Sequence, residues 1–137
     1  MSYLLDVNVL VAWGWTDHAD HNRAVRWLAD CKRTRGLMLM TSPIPELGFI
    51  RVSAQRAAGR ISVKMAADVL RGMLGALGAL GAKHRFLADD LHCEEWPAWC
   101  TSAAHTTDGH LLLLAKRHGI HLATLDAGIP GARLLPD

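Results

Sequence analysis

The chain has 137 residues, half of them hydrophobic and a fifth charged, with a formal net charge of +2 at pH 7. That fits one domain, residues 1–137, with a real core, and the mild charge is no signature of nucleic-acid binding by itself. No run reaches the ~18 apolar residues of a membrane span, and the N-terminus lacks the basic region of a signal peptide, with Asp6 interrupting its apolar stretch.

The first strand is expected at residues 3–6, inside "YLLDVNVLVAW", and a helix near Asn8 carries Val9 to Trp15. Thr16 or Asp17 caps a second helix, in which Ala24, Val25, Leu28 and Cys31 recur at helical spacing. "LMLMT", residues 37–41, reads as the second strand. Ser42 with Pro43 and Pro45 marks the next helix start. Leu47, Ile50, Ala54 and Ala57 give that third helix an apolar stripe, and Gly59 ends it. Ser62 caps a fourth helix with Val63, Ala66, Ala67, Leu70, Leu74 and Leu77 on one face.

"GALGALGA", residues 75–82, reads as a helix end packed closely on a neighbour, or as a close-approach surface for a second subunit. "RFLAD", residues 85–89, is the third strand, and residues 90–105 are irregular. Thr106 or Thr107 caps a last helix that Gly119 stops. "HLATL", residues 121–125, is the fourth strand, and residues 133–135 are a candidate fifth. Strands alternate with helices throughout. That order favours an α/β architecture, a mostly parallel sheet of four or five strands covered on both faces.

The acids then stand out. Asp6 ends the first strand, Glu46 opens the helix after the second, Asp108 opens the helix before the fourth, and Asp126 follows the fourth. Ligands of open parallel sheets sit outside the carboxyl ends of the strands, where Asp6, Glu46 and Asp126 map. Asp108 joins them if its helix starts at that edge. Converging carboxylates repel one another and require cations. Hard oxygen ligands suit Mg²⁺ or Mn²⁺, which would activate water and stabilise a phosphoryl transition state. Each acid also has a plainer use. Glu46 and Asp108 suit a helix dipole, and Asp126 suits a turn. Asp6 and Asn8 compete as caps of the first helix. Asn8 and Thr124 either support the site or serve as a cap and a strand-end residue.

"LLDVNVLV", "SPIPELGFIRV", "TTDGHLLLLAKRHG" and "LATLDAGI" resemble, in order and spacing, the four acidic motifs of PIN domains, and most closely the VapC-type toxins of bacterial toxin–antitoxin pairs. "DHADHNRAVRWL" resembles the second helix of a subgroup of those toxins. The resemblance covers roughly residues 3 to 135. It implies a three-layer α/β/α fold and a Mg²⁺- or Mn²⁺-dependent endoribonuclease, homodimeric and held by a cognate antitoxin in the cytoplasm. Asp6, Glu46, Asp108 and Asp126 would be its acidic residues, with Asp6, Asp108 and Asp126 on the metal and Asn8 and Thr124 in support. The chain departs from the pattern at Gly128, where many members carry a further acid, and at Leu125, where a polar residue often precedes the fourth acid.

Between residues 51 and 85 stand Arg51, Arg56, Arg60, Lys64, Arg71, Lys83 and Arg85, against Asp68 alone. That bias suits a phosphate backbone, an acidic partner or a solvated face. Arg51 and Arg60 are the candidates for RNA contact. His18 and His21 bracket a metal pair, although His21 aligns with Val25 and Leu28 as a packed residue. Cys93, Cys100, His105 and His92 are a conceivable zinc set with the wrong cysteine spacing for the usual knuckles. The three cysteines form no framework and suggest reduced thiols in the cytoplasm. A phosphohydrolase with Asp6 as nucleophile and a non-catalytic binding module are the competing functions. Asn8 stands where the first would want a second acid.

Overall fold

A computed structural model of the protein describes residues 1–79, 81 and 83–137. The elements in chain order are β1 (Ser2–Leu5), α1 (Val7–Gly14), α2 (His21–Arg33), β2 (Met38–Thr41), α3 (Pro43–Arg56), α4 (Val63–Ala79) and β3 (Lys83–Phe86). A short turn of 3-10 helix (Ala103–His105), α5 (Thr106–Arg117), β4 (His121–Thr124) and β5 (Arg133–Leu134) complete the chain. The strands form one sheet in the order β3-β2-β1-β4-β5, and every pairing is parallel.

Alternation along the central strands sorts their side chains into two cores. Tyr3, Leu5, Leu39 and Ala123 face one side, where Val9 and Leu10 of α1, Trp27 and Leu28 of α2, Phe49 of α3 and Leu70 and Leu77 of α4 cover them. Leu4, Met40 and Leu122 face the other side, covered by Leu111, Leu112 and Leu114 of α5 with Leu87 and Ile129. The result is the expected three-layer α/β/α arrangement. One layer holds four helices; the other holds α5 and the irregular segment before it.

Several boundaries differ from the pattern in the sequence. The second helix starts at His21 with Asp20 at its cap, not at Thr16 or Asp17. Asp17 is spent on Arg56, 3.1 Å away, and His21 Nδ1 lies 2.8 Å from the Ala12 carbonyl oxygen, which makes it a packed histidine. The stripe of α3 is rotated. Pro45, Gly48, Phe49 and Ser53 are buried, while Leu47 is 65% exposed. Ser53 tolerates burial because its Oγ accepts from Trp15 Nε1 at 3.0 Å. In α4 the Ser62 cap forms as expected, its Oγ accepting from Met65 N at 3.1 Å, but Val63 stays exposed. α4 continues to Ala79, and a Cβ on Gly75 or Gly78 would meet only open space. Gly75 and Gly78 are therefore not close-approach positions within the chain, although Leu77 between them is buried in the core; Leu80 and Ala82 lie outside the described residues. β3 begins two residues before the expected start because an edge strand with exposed Lys83 and Arg85 carries no apolar alternation.

Ser42 ends up without a partner for its buried hydroxyl. A capping serine bonds the N–H two or three residues on; three residues on is Pro45, which has none, and the Ile44 N–H two residues on is not bonded by Ser42. The turn from β2 into α3 thus keeps its prolines at the expense of its cap bond.

Two helices of the four-helix layer meet at a glycine. A Cβ on Gly48 of α3 would come within 2.5 Å of a Val7 methyl at the start of α1. Gly48→Ala should therefore destabilise the protein by about 1–3 kcal/mol through overpacking. Adding Val7→Ala should restore much of that loss in a denaturant double-mutant cycle; additive losses would show that the two residues do not compete for this space.

Candidate active site

β1 is the strand at which the connections reverse: β2 and β3 lie to one side, β4 and β5 to the other. The crevice at such a switch point, outside the carboxyl ends of the strands, is where open sheets take ligands. Asp6 stands there, directly after β1 and only 3% exposed. It is the cap of α1: its Oδ1 accepts from Val7 N at 2.7 Å. Its Oδ2 accepts from the Thr124 hydroxyl at the end of β4 at 2.8 Å. The competition between Asp6 and Asn8 for the cap is thereby decided for Asp6.

Asn8 has a different task. Its Nδ2 donates to Thr124 Oγ1 at 3.1 Å, and its Oδ1 accepts from Leu125 N at 3.0 Å. One amide therefore clamps the first turn of α1 to the end of β4. Thr124 is fully buried and spends its single proton on Asp6, while its oxygen also accepts from Asp126 N at 3.0 Å. The threonine is thus more than a strand-end residue: it joins Asp6, Asn8 and Asp126.

Asp108 lies half-buried in the first turn of α5. α5 returns the chain from the carboxyl edge to the start of β4, so its first turn lies at that edge. Burial raises the Asp108 carboxyl first, and the charge of Asp126 raises it further, with His105 opposing. Burial likewise pushes Asp6 up to about 6 from 3.8, against the hydrogen bonds from Thr124 and Val7; Asp108 and Asp126 add to the rise. The three carboxylates therefore sit within one another's fields. Asp126 also makes the turn anticipated for it, its Oδ1 accepting from Gly128 N at 2.8 Å. That bond occupies one of its two oxygens.

Glu46 is placed apart from this trio. Its Oε2 accepts from the Thr41 hydroxyl at 2.6 Å, and Thr41 Oγ1 lies 2.7 Å from His84 Nε2 on β3. Glu46 and His84 share the wall of a 560 Å³ groove with Arg71, Leu70 and Leu74 of α4. Thr41 and His84 carry no motif in the sequence, so nothing there signalled them.

Among the described residues, no three His, Cys, Asp or Glu side chains stand close enough to form a ready-made cage for an ion. Mg²⁺ does not demand one. It keeps several waters and is bound by one or two carboxylates with substrate phosphates. Asp6, Asp108 and Asp126 offer hard oxygen donors whose mutual repulsion a cation would relieve, so the donor set fits that ion. The zinc set is not assembled. His92 pairs with Glu94, Cys100 Sγ donates to the His105 carbonyl, and Cys93 faces His110.

The irregular segment before α5 lies against this site. A Cβ on Gly109 would overlap the Cys100 sulfur and come within 3.4 Å of Trp96 and 3.5 Å of Pro97. Glycine beside Asp108 thus lets this segment close over the first turn of α5. Of the proposed RNA contacts, Arg51 is exposed in a 610 Å³ groove that runs from Val7, after Asp6, to Thr107, before Asp108. Arg60 instead donates from Nε to the Ala57 carbonyl at the end of α3. Lys64 and Arg71 pair with Asp68, and Arg56 pairs with Asp17.

No family model matches the chain. Curated relatives do. It is 41% identical over 127 residues to Ribonuclease VapC38 of Mycobacterium tuberculosis, covering 92% of this chain and 86% of the relative. It is 36% identical to Ribonuclease VapC39 of the same organism, over 94% and 91% of the two chains. It is 34% identical to Ribonuclease VapC44, over 96% and 94%. A solved structure, a domain of a functionally unknown protein from Methanocaldococcus jannaschii, superposes with a TM-score of 0.56 at 15% identity, over 99% of this chain and 91% of that one, and shares the fold.

The raised Asp6 carboxyl has a sign that can be checked. Between pH 3.8 and about 6 the folded chain holds a proton at Asp6 that the unfolded chain has released. Stability from this group therefore falls as pH rises through that window, by up to about 3 kcal/mol at neutral pH. Without divalent cations, Asp6→Asn should melt higher than the parent chain at pH 7.5. The advantage should shrink at pH 4. A lower melting temperature at pH 7.5 would contradict this placement of the charge.

Proposed function

The chain belongs to the VapC ribonuclease family, and from that premise we propose that it is a Mg²⁺- or Mn²⁺-dependent endoribonuclease, the toxin of a toxin–antitoxin pair. The observation that carries the reading is the buried Asp6 at the sheet's switch point, in the fields of Asp108 and Asp126. An uncompensated group of this kind is costly to the fold and suited to a cation.

Asp6, Asp108 and Asp126 would hold the ion. When bound, it supplies neutralisation of the phosphate charge and activation of water. The residues of the chain do the rest. Thr124 and the Val7 N–H hold both oxygens of Asp6 in one orientation. Asn8 keeps β4 and α1 in register, so that Asp126 cannot drift from Asp6. Asp108 enters from α5, a different element, so the site closes only when both faces of the sheet are packed. Glu46, held by Thr41 apart from the trio, would act as the fourth acid from the neighbouring groove it shares with His84. Arg51 contacts the phosphate backbone along the groove between Val7 and Thr107, with Arg60 at its margin. The cytoplasmic RNA substrate, a homodimeric state and a cognate antitoxin belong to the same reading. Aspartate-nucleophile chemistry is disfavoured, because Asn8 stands where that chemistry needs a second acid.

Cleavage of an RNA by the full chain should appear with Mg²⁺ or Mn²⁺ and fall at least 100-fold in EDTA or with Asp6→Asn. Equal cleavage in all three conditions would remove the assignment. Retained RNA binding without divalent-metal binding by calorimetry would favour a binding module instead. For the groove, Arg51→Ala should weaken binding evenly across RNA sequences and reduce the salt slope of log K by about 1. An unchanged slope would take Arg51 out of the interface.

A further inference from the structure

On the face of the sheet opposite the four helices, the chain holds a second group of reactive side chains that the carboxylate site does not use. His110 of α5 is buried, and its Nε2 lies 2.7 Å from Asp89 Oδ2, both side chains being 9% exposed. On the other side of the ring, Nδ1 lies 3.8 Å from the sulfur of Cys93, which is exposed. Asp89 is fixed in turn, because its Oδ1 accepts from Leu91 N at 3.1 Å. The carboxylate accepts from Nε2–H, which sets the tautomer. Nδ1 is then the acceptor and faces the thiol. His110 lies two positions after Asp108, and residues so spaced on a helix do not face each other.

The arrangement excludes a shared metal ion, because Cys93 and Asp89 approach opposite nitrogens of one ring. It matches instead the logic of an activated nucleophile: nucleophile, base and a third group that orients the base. A recess of 360 Å³ opens beside the sulfur, lined by Ile44, Leu91, Trp96, Thr106 and Thr107 together with the three residues of the relay. It is large enough for a small reactant. The other two thiols are unlike this one. Cys31 is buried and pushed up to about 12 by desolvation, with Asp30 adding. Cys100 donates its proton to the His105 carbonyl and is also held up, by desolvation first and by Asp108 second.

We infer that Cys93, His110 and Asp89 form a thiol–imidazole–carboxylate relay that makes Cys93 the oxidation site of this chain, with a small hydroperoxide as its reactant. The sulfur attacks one peroxide oxygen. An S–O bond forms as the O–O bond breaks, and the thiol proton passes through His110 Nδ1 to the departing oxygen. Cys93 becomes a sulfenic acid, oxidised by two electrons, and the peroxide is reduced to water or an alcohol. The product occupies a recess whose wall includes Thr106 and Thr107, the residues before Asp108 in α5.

The full chain is treated with hydrogen peroxide in the presence of dimedone, and labelling of each cysteine is followed by peptide mass spectrometry. Cys93 should label at least ten times faster than Cys100 or Cys31. It should also label about ten times faster in the folded chain than in urea, whereas Cys31 should show the reverse. Asp89→Asn keeps an acceptor for Leu91 N, but its amide donates to His110 Nε2 and moves the ring proton to Nδ1. That variant should lose the advantage of Cys93 while keeping its circular dichroism. Equal Cys93 rates in the folded and unfolded chains would overturn the relay, as would a folded Asp89→Asn variant that labels at the parent rate. The comparison with urea stands whether or not the variant folds.

Discussion

A carboxylate is held out of water at the carboxyl end of β1, and much of the structure follows from how it is held. Asp6 accepts from Val7 N and from the Thr124 hydroxyl, and hydrogen bonds to a charged group contribute about 1.5–3 kcal/mol each. Burial nonetheless outweighs them, since the carboxyl is pushed up to about 6. The balance is the usual one at functional sites, where stability is given up for a charge in a chosen place. The two hydrogen bonds do not make Asp6 comfortable; they determine where its oxygens point. Because one comes from α1 and the other from β4, the same atoms that orient the acid also join the two elements on either side of the switch point.

That junction is why close packing elsewhere matters to the site. α3 can pass this close to the start of α1 at Val7 only because Gly48 has no Cβ. Asp108 can reach the field of Asp6 only if α5 packs against the opposite face through Leu111, Leu112 and Leu114. The irregular segment can cover the first turn of α5 only because Gly109 has no Cβ. The acids arrive from different layers, so their proximity depends on tertiary packing and not on any one element's propensity. A single cooperative core would make such a site rigid, which is what metal-assisted phosphoryl chemistry requires of its ligands.

The order of elements and the parallel sheet were legible in the sequence because strand and helix segments alternate from Leu4 to Leu134, with the edge strand β3 the one lacking an apolar period. What was not legible is instructive. Leu47, Ile50, Ala54 and Ala57 are apolar at helical spacing and Ala57 is buried as expected, yet the face of α3 that packs is the one with Gly48, Phe49 and Ser53. Periodicity reports where apolar residues recur, not which face finds a partner, and a glycine and a hydroxyl count against a stripe although both pack well here. Asp6 and Asp126 stand out because each follows an apolar strand, whereas Asp108 is legible only as an acid in the first turn of a helix. Thr124 was legible as a hydrogen-bond partner for a site carboxylate, which it is for Asp6; its bond with Asn8 spans 116 positions and has no local signal. The grouping of Cys93 with His110 and Asp89 crosses 17 and 21 positions of irregular chain and helix. No local pattern encodes such pairings.

A further regularity links the two halves of the carboxyl edge. Thr41 ends β2 and Thr124 ends β4, on either side of β1, and both are fully buried. Each donates its only hydroxyl proton to a carboxylate, Glu46 at 2.6 Å and Asp6 at 2.8 Å. A buried hydroxyl without a partner costs about 1–3 kcal/mol, and Ser42, one residue after Thr41, bears that cost because Pro45 lacks the N–H it would cap. Threonine suits the last position of a β-strand by its branching, and a carboxylate at the same edge, Glu46 for Thr41 and Asp6 for Thr124, gives its hydroxyl somewhere to donate. The two requirements meet in one residue type at two strand ends. This explains why the edge can carry Asp6 and Glu46 from separate elements, each with an oxygen oriented by a threonine.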